Sequence, residues 1–109
     1  MGMPIRLRVE FPFDGGVFPP DLGGFVSTTV VECRAPVLYV AHNHDNSWHF
    51  TDAQGDPNEP GALMVVCVWH AIEHDPTLRA MASLPLGVEV VRDWPGEPWR
   101  SREFEEEDG

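Results

Sequence analysis

The sequence contains no lysine, since all seven of its basic residues are arginine, against eighteen acidic residues. The absence of lysine excludes a side-chain Schiff base and the phosphate-binding lysine of a Walker-type loop. The two cysteines, Cys33 and Cys67, form no CxxC pair, and in a reducing compartment we expect both to be free thiols. Cys67 lies in an apolar run, which favours a buried, unreactive position.

Membrane and secretion signals are also lacking. No apolar run approaches the roughly 20 residues of a membrane-spanning helix. The first residues do not combine a charged head with an apolar stretch, so they do not resemble a secretory signal. We therefore expect a cytoplasmic protein without a membrane partner.

Motifs for nucleophilic catalysis are missing as well. There is no GxSxG sequence, and neither glycine pair stands at a strand-to-helix turn that would cradle a phosphate. A triad of Cys33 or Cys67 with a histidine and Asp75 can be drawn, but almost any chain allows such a drawing. We predict a protein that is not an enzyme and uses no cofactor.

The charge is strongly acidic, with a formal value of −11. Five acidic residues lie within residues 103–108, and the other thirteen against seven arginines still leave −6 on the body of the chain. Such a surface repels phosphate backbones, so we expect no nucleic-acid binding. A basic protein is the partner that this charge favours.

Hydrophobic patterning predicts about five strands, with a β-hairpin around the polar turn at residues 42–47. The continuously apolar runs at 37–41 and 62–68 indicate strands that are buried on both faces. Residues 25–31 fit a strand or a helical turn, and their pattern does not decide between the two. The predicted strands are residues 5–11, 37–41, 48–50, 62–68 and 88–91.

The clearest helix signals lie in one region. Asp75 and Pro76 have the form of an N-cap followed by a first helical residue. The buried face of the helix is expected to comprise Leu78, Met81 and Ala82, and a short helical turn is possible over residues 69–73. Residues 12–24 read as a loop with apolar anchors at Phe13, Val17, Phe18 and Leu22.

These elements predict an α+β fold. We expect a mixed or antiparallel sheet of about five strands with one or two short helices packed on it. Residues 1–93 would form a single domain, and residues 94–109 an acidic, partly disordered C-terminal tail.

The histidines support an alternative function. His70 and His74 are four residues apart, which places them on one helix face, and two such side chains can contribute to a zinc site. The HExxH motif of metalloproteases is absent, and exposed or turn positions remain the favoured interpretation. The alternative is a metal-binding protein or a small metal-dependent enzyme that uses His42, His44, His70 and His74.

Tryptophans and loop acids supply the candidate partner-binding residues. Trp48 and Trp69 lie within apolar patterns that favour the core, whereas for Trp94 and Trp99 core and surface are equally favoured. Tryptophan is enriched at binding hot spots, and acidic loops complement a basic partner. The predicted partner-binding set is Asp45, Trp48, Asp52, Asp56, Glu59, Trp94 and Trp99.

A series of short motifs also resembles a known family. The motifs are VSTTVV at 26–31, APVLYV at 35–40, SWHF at 47–50, VVCV at 65–68, HDPTL at 74–78 and LPLGVEV at 84–90. In this order they resemble the immunity protein thirty-three family of bacterial polymorphic-toxin systems, over residues 25–92. The resemblance implies a protein that neutralises a toxin, with no catalytic residues to carry over.

Overall fold

The structure is a computed structural model, which describes Arg6, residues 9–53 and residues 59–103. These residues form a six-stranded mixed sheet with two short α-helices and two 3₁₀ helices, the first of which spans Asp14–Gly16, so the predicted α+β class is confirmed. No helix in the described residues is long and apolar enough to cross a membrane. The strands are β1 (Gly23–Ser27), β2 (Tyr39–His42), β3 (Trp48–Thr51), β4 (Leu63–Cys67), β5 (Val88–Val91) and β6 (Arg100–Glu103).

The sheet order is β4-β1-β3-β2-β5-β6. β2 and β3 form the predicted antiparallel hairpin, in which Tyr39 pairs with Thr51 and His42 with Trp48. β1 is parallel to β3, and all other neighbouring strands are antiparallel. β2 is therefore a central strand, as its apolar sequence predicts.

Residues 25–31, which fitted either a strand or a helical turn, contain parts of both. β1 ends at Ser27, and α1 (Thr28–Val31) begins at the next residue. Gly24 permits a close approach inside the sheet, because a Cβ there would lie 3.0 Å from Val68 Cγ1 and 3.2 Å from the Trp48 carbonyl oxygen. Any side chain at this position would press the β1 backbone away from its neighbours.

The core lies between one face of the sheet and the helices. Val26, Val40, Phe50 and Val90 point into it from adjacent strands. The loop before β1 contributes Phe13, Phe18 and Leu22, all buried as predicted, whereas Val17 is 52% exposed and does not anchor the loop.

The helices follow the predicted signals. α2 (Trp69–His74) comes directly before a 3₁₀ helix (Pro76–Ser83), and the Asp75 side chain accepts a hydrogen bond from the Thr77 N–H as the N-cap. The apolar face of the 3₁₀ helix is buried: Leu78, Met81 and Ala82.

Residues 62–68 contain the predicted strand, but the prediction that this strand is buried on both faces is wrong. β4 is an edge strand, and the exposed fractions of Met64 and Val65 are 41% and 49%. Val66 packs against the core, and Val68, just beyond the strand, is fully buried. Apolar composition alone does not reveal whether a strand has one neighbour or two.

The sheet continues beyond residue 93, the boundary predicted for the folded domain. Arg100–Glu103 form β6, which pairs with β5 from Val91↔Arg100 to Val88↔Glu103. The fold thus includes the first part of the predicted tail, and the expected disorder at its end concerns residues outside the described part.

The predicted strand at residues 5–11 is described only in part. Arg6 makes an isolated parallel bridge to Leu22, and Val9, Glu10 and Phe11 are not in a strand. The other residues of this prediction lie outside the described ranges.

Candidate functional site

Trp48 lies in the core, where its side chain is inaccessible to a partner, which corrects its place in the predicted binding set. Its side chain is fully buried, and its ring stacks on the His42 ring with 3.8 Å between centroids and 11° between planes. Phe18 packs edge-on against the same indole at 5.0 Å. The core position favoured by the apolar pattern is confirmed.

The predicted acidic residues do not form one patch. Asp52 is buried and accepts a 2.6 Å hydrogen bond from the Thr29 hydroxyl, so it stabilises the fold rather than facing a partner. Asp45 is exposed in the β2–β3 turn, where its carboxylate accepts hydrogen bonds from the Ser47 N–H and hydroxyl. Glu59 is exposed before β4, at the opposite end of the sheet, and Asp56 lies outside the described residues.

The two C-terminal tryptophans differ in their surroundings. Trp99 is partly buried against the core, and the Arg92 guanidinium lies 4.2 Å from its ring centroid. Trp94 is 64% exposed. Trp99 therefore helps to attach β6, and Trp94 remains available to a partner.

The four candidate histidines do not form a cluster. His42 is fully buried, with its ring nitrogens 2.7 Å from the Leu84 carbonyl oxygen and 2.7 Å from Asn46 Oδ1. His44 is exposed beside Gly87, while His70 and His74 are exposed on α2. Within the described residues, no group of three or more histidine, cysteine or acidic side chains could hold a metal ion.

The remaining histidine, His49, lies on the sheet face away from the helices. Its ring stacks on Phe25 at 5.0 Å, and its Nδ1 lies 2.8 Å from the Asn43 amide nitrogen. Burial lowers the pKa of His49, and the attraction of Asp45 for the charged form only partly opposes this.

A Cys–His pair lies beside a cavity, and its histidine is one that the triad considered from the sequence left unspecified. Cys33 Sγ is 3.1 Å from His74 Nε2, and both side chains are exposed. The cavity has a volume of about 470 Å³ and is lined by both residues. Because the two residues are 41 positions apart, no local motif indicates their contact.

Asp75 lines the same cavity but does not complete a triad. Its carboxylate accepts hydrogen bonds from the Thr77 N–H and hydroxyl and forms an ion pair with the buried Arg92. Burial by itself would raise the pKa of Asp75, but the hydrogen bonds from Thr77 and Arg92 outweigh it and lower the pKa. Asp75 therefore acts as a charged structural anchor.

β4 forms one edge of the sheet. No described strand pairs with this edge, and the sequence LMVVC contains neither charge nor proline. Val65 is in register with Phe25, which in turn pairs with His49, so the exposed valine continues a row on the face away from the helices. Backbone hydrogen-bonding groups and apolar side chains are thus presented together.

Most arginines with described side chains are paired with acids, whereas several exposed acids have no such pair among the described residues. Arg79 lies 5.7 Å from the Trp69 ring centroid. The other arginines with described side chains are ion-paired with acids: Arg6, Arg34, Arg92 and Arg100. Glu59, Glu73 and Glu97 are exposed and form no ion pair with another described residue.

No protein-family model, curated protein or solved structure matches this chain. The resemblance to immunity proteins consequently depends on the sequence motifs alone.

Proposed function

We propose that this chain is a non-enzymatic protein-binding domain that pairs the edge of β4 with a basic protein. The observation that carries the proposal is the edge itself, five uncharged residues with Met64 and Val65 41% and 49% exposed. Strand edges that have no binding role are usually protected by charges, prolines or a covering segment. An unprotected edge of this kind is typical of a surface that another strand completes.

The partner would bind in two ways. Its strand would hydrogen-bond to the β4 backbone, and its apolar side chains would pack beside Val65 and Phe25. The surrounding acidic surface would attract a basic protein and accelerate its capture, because complementary charge raises association rates. The exposed Glu59, just before β4, is placed to contribute to this attraction.

The family resemblance supplies the class of partner within this proposal. An immunity protein occludes the active surface of its toxin, and the partner here would be a basic toxin domain. The cytoplasmic location expected from the sequence belongs to the same proposal, since the toxin would be neutralised there.

The proposal predicts that a gene beside this one encodes a basic toxin domain. Co-expression with that domain tests it through growth rescue and size-exclusion chromatography of the pair. Val65→Arg places a charge on the edge and repels a basic partner. We expect the affinity to fall by roughly thirtyfold or more, as at a binding hot spot. The matched control is Val17→Arg, the same change at an exposed valine outside the sheet, which should leave the affinity unchanged.

The outcomes distinguish a failure of the immunity function from a failure of the β4 edge as the binding site. If neither rescue nor a complex is observed, the immunity function is contradicted. A complex that tolerates Val65→Arg would retain the binding function and eliminate β4 as its site. A dimer of the purified chain that Val65→Arg dissociates would show that a second copy, rather than a basic partner, covers the edge.

A further inference from the structure

Cys33 has a backbone conformation that is uncommon for cysteine. It follows the end of α1 with a φ of 62°, in the left-handed region that favours glycine or asparagine. Its N–H donates to the Val30 carbonyl at 3.0 Å, and the Arg34 N–H donates to the Thr29 carbonyl at 2.8 Å. These bonds fix the turn and leave the thiol exposed.

His74 faces this thiol from the last residue of α2. Cys33 Sγ lies 3.1 Å from Nε2 and 3.8 Å from Nδ1 of the imidazole. A neutral imidazole nitrogen at the shorter distance can accept the thiol proton, which produces the thiolate, the nucleophilic form of cysteine. The fold therefore provides both a nucleophile and a base.

The adjoining cavity can accommodate a substituent on the sulfur. Its volume is about 470 Å³, within the usual range for small-molecule sites. Apolar side chains form much of the wall: Val30, Pro36, Val37 and Ala71. Such a wall suits a short aliphatic group rather than a highly charged one.

Cys67 provides a comparison within the same molecule. It is partly buried, and its thiol donates a hydrogen bond to the Pro20 carbonyl at 3.1 Å. No histidine contacts its sulfur in the described part of the chain. A carbonyl oxygen cannot remove the thiol proton at neutral pH, so Cys67 has no base.

We propose that Cys33 and His74 form a reactive thiol site at which small aliphatic disulfides convert Cys33 to a mixed disulfide. His74 accepts the Cys33 proton, and the thiolate attacks one sulfur of the reagent. The reagent's S–S bond breaks as the new bond forms, so Cys33 is oxidised and the departing half is reduced. The departing thiolate takes the proton from His74 and leaves as a free thiol.

The site can be tested with bis(2-hydroxyethyl) disulfide, an uncharged reagent on which the acidity of the protein has little influence. Because the chain lacks lysine, trypsin cleaves only after arginine and separates Cys33 in residues 9–34 from Cys67 in residues 35–79. Mass spectrometry of these peptides gives the modification rate of each cysteine. We expect Cys33 to react roughly tenfold or more faster than Cys67, as general-base assistance allows.

His74→Gln tests whether Cys33 reacts because His74 acts as a base or only because its thiol is exposed. We expect this variant to slow modification of Cys33 by roughly tenfold near neutral pH, whereas His70→Gln, one turn earlier on α2, has no effect. The advantage of the wild type should vanish near pH 10, where an ordinary thiol is ionised without help. Equal rates for the two cysteines, or a Cys33 rate that His74→Gln leaves unchanged or increases, would overturn the proposal.

Discussion

The two edges of the sheet differ in composition and in the way they are attached. β4 is uncharged and apolar, whereas β6 has the sequence RSRE, with three charged residues among four. Charged edge strands resist the addition of another strand, and apolar ones accept it. The composition of β6 is therefore that of an edge protected against pairing, whereas no described strand covers β4, and our proposal assigns the partner to β4.

The β6 side is secured from within by Arg92. This side chain is 2% exposed, pairs with Asp75, donates to the Val37 carbonyl at 2.9 Å, and lies over Trp99. The β4 side has no comparable anchor among the described residues. Disruption of the anchor should therefore affect the two edges unequally.

Of the substitutions that test this comparison, Asp75→Asn should cause the largest loss of stability. The amide retains the N-cap but leaves the buried Arg92 without its counter-charge, which costs about 3 kcal/mol of unfolding free energy. Urea denaturation measures the loss. The control is Asp93→Asn in the exposed Asp93–Arg100 pair, which should cost less than about 1 kcal/mol.

The effect of Asp75 should also depend on pH in a defined direction. Because folding lowers the pKa of this carboxyl group, its contribution is present above the ordinary aspartate value of about 3.9 and is lost as the pH falls through the folded value. Asp75→Asn should therefore flatten the acid limb of the stability curve. An unchanged acid limb would contradict the assigned role.

A smaller effect is expected from Trp99→Ala. Since this indole is only partly buried, we expect a loss of about 2 kcal/mol, below the range for fully buried aromatic residues. Hydrogen exchange should accelerate in β6 more than in β4. Trp94→Ala is the matched control, and its exposed side chain should contribute within about 0.5 kcal/mol. Equal losses from the two substitutions would contradict the proposed attachment of β6 by Trp99.

The smallest effect on stability should come from the titration of His49, which lies in the middle of the sheet between the two edges. Burial lowers its pKa in the folded state, so the unfolded chain binds the proton more readily. Stability should therefore decrease as the pH falls below the ordinary histidine value of about 6.5. Urea midpoints across this range should show a shallower slope for His49→Gln, whereas a slope equally reduced by the exposed His70→Gln would exclude a specific role of His49.

Local signals in the sequence predicted much of the fold. The β2–β3 hairpin is specified by two apolar segments around a polar turn, and the 3₁₀ helix begins at the Asp75–Pro76 signal. Interactions over long separations were not predictable in this way. Residues 62–68 were predicted to be buried because an apolar composition does not reveal how many strands flank a segment. The sequence RSRE has no apolar alternation by which β6 could be recognised.

The candidate sites illustrate the same limit. Trp94 and Glu59 are exposed as a binding role requires, but Trp48 and Asp52 are buried. A tryptophan in a short strand, or an acid at the end of the strand, has the same sequence signature whether its side chain is buried or exposed. The contact between Cys33 and His74 depends on the packing of α1 near α2, for which spacing provides no signal.

The parallel pairing of β1 with β3 has a consequence for synthesis on the ribosome. β1 emerges before both strands that flank it, because β3 appears only after β2, and β4 appears later still. The hairpin can close from local contacts, whereas β1 must wait for a partner with Phe25 and Val26 unprotected. β1 is therefore a segment of the nascent chain that we expect chaperones to protect until β3 has emerged.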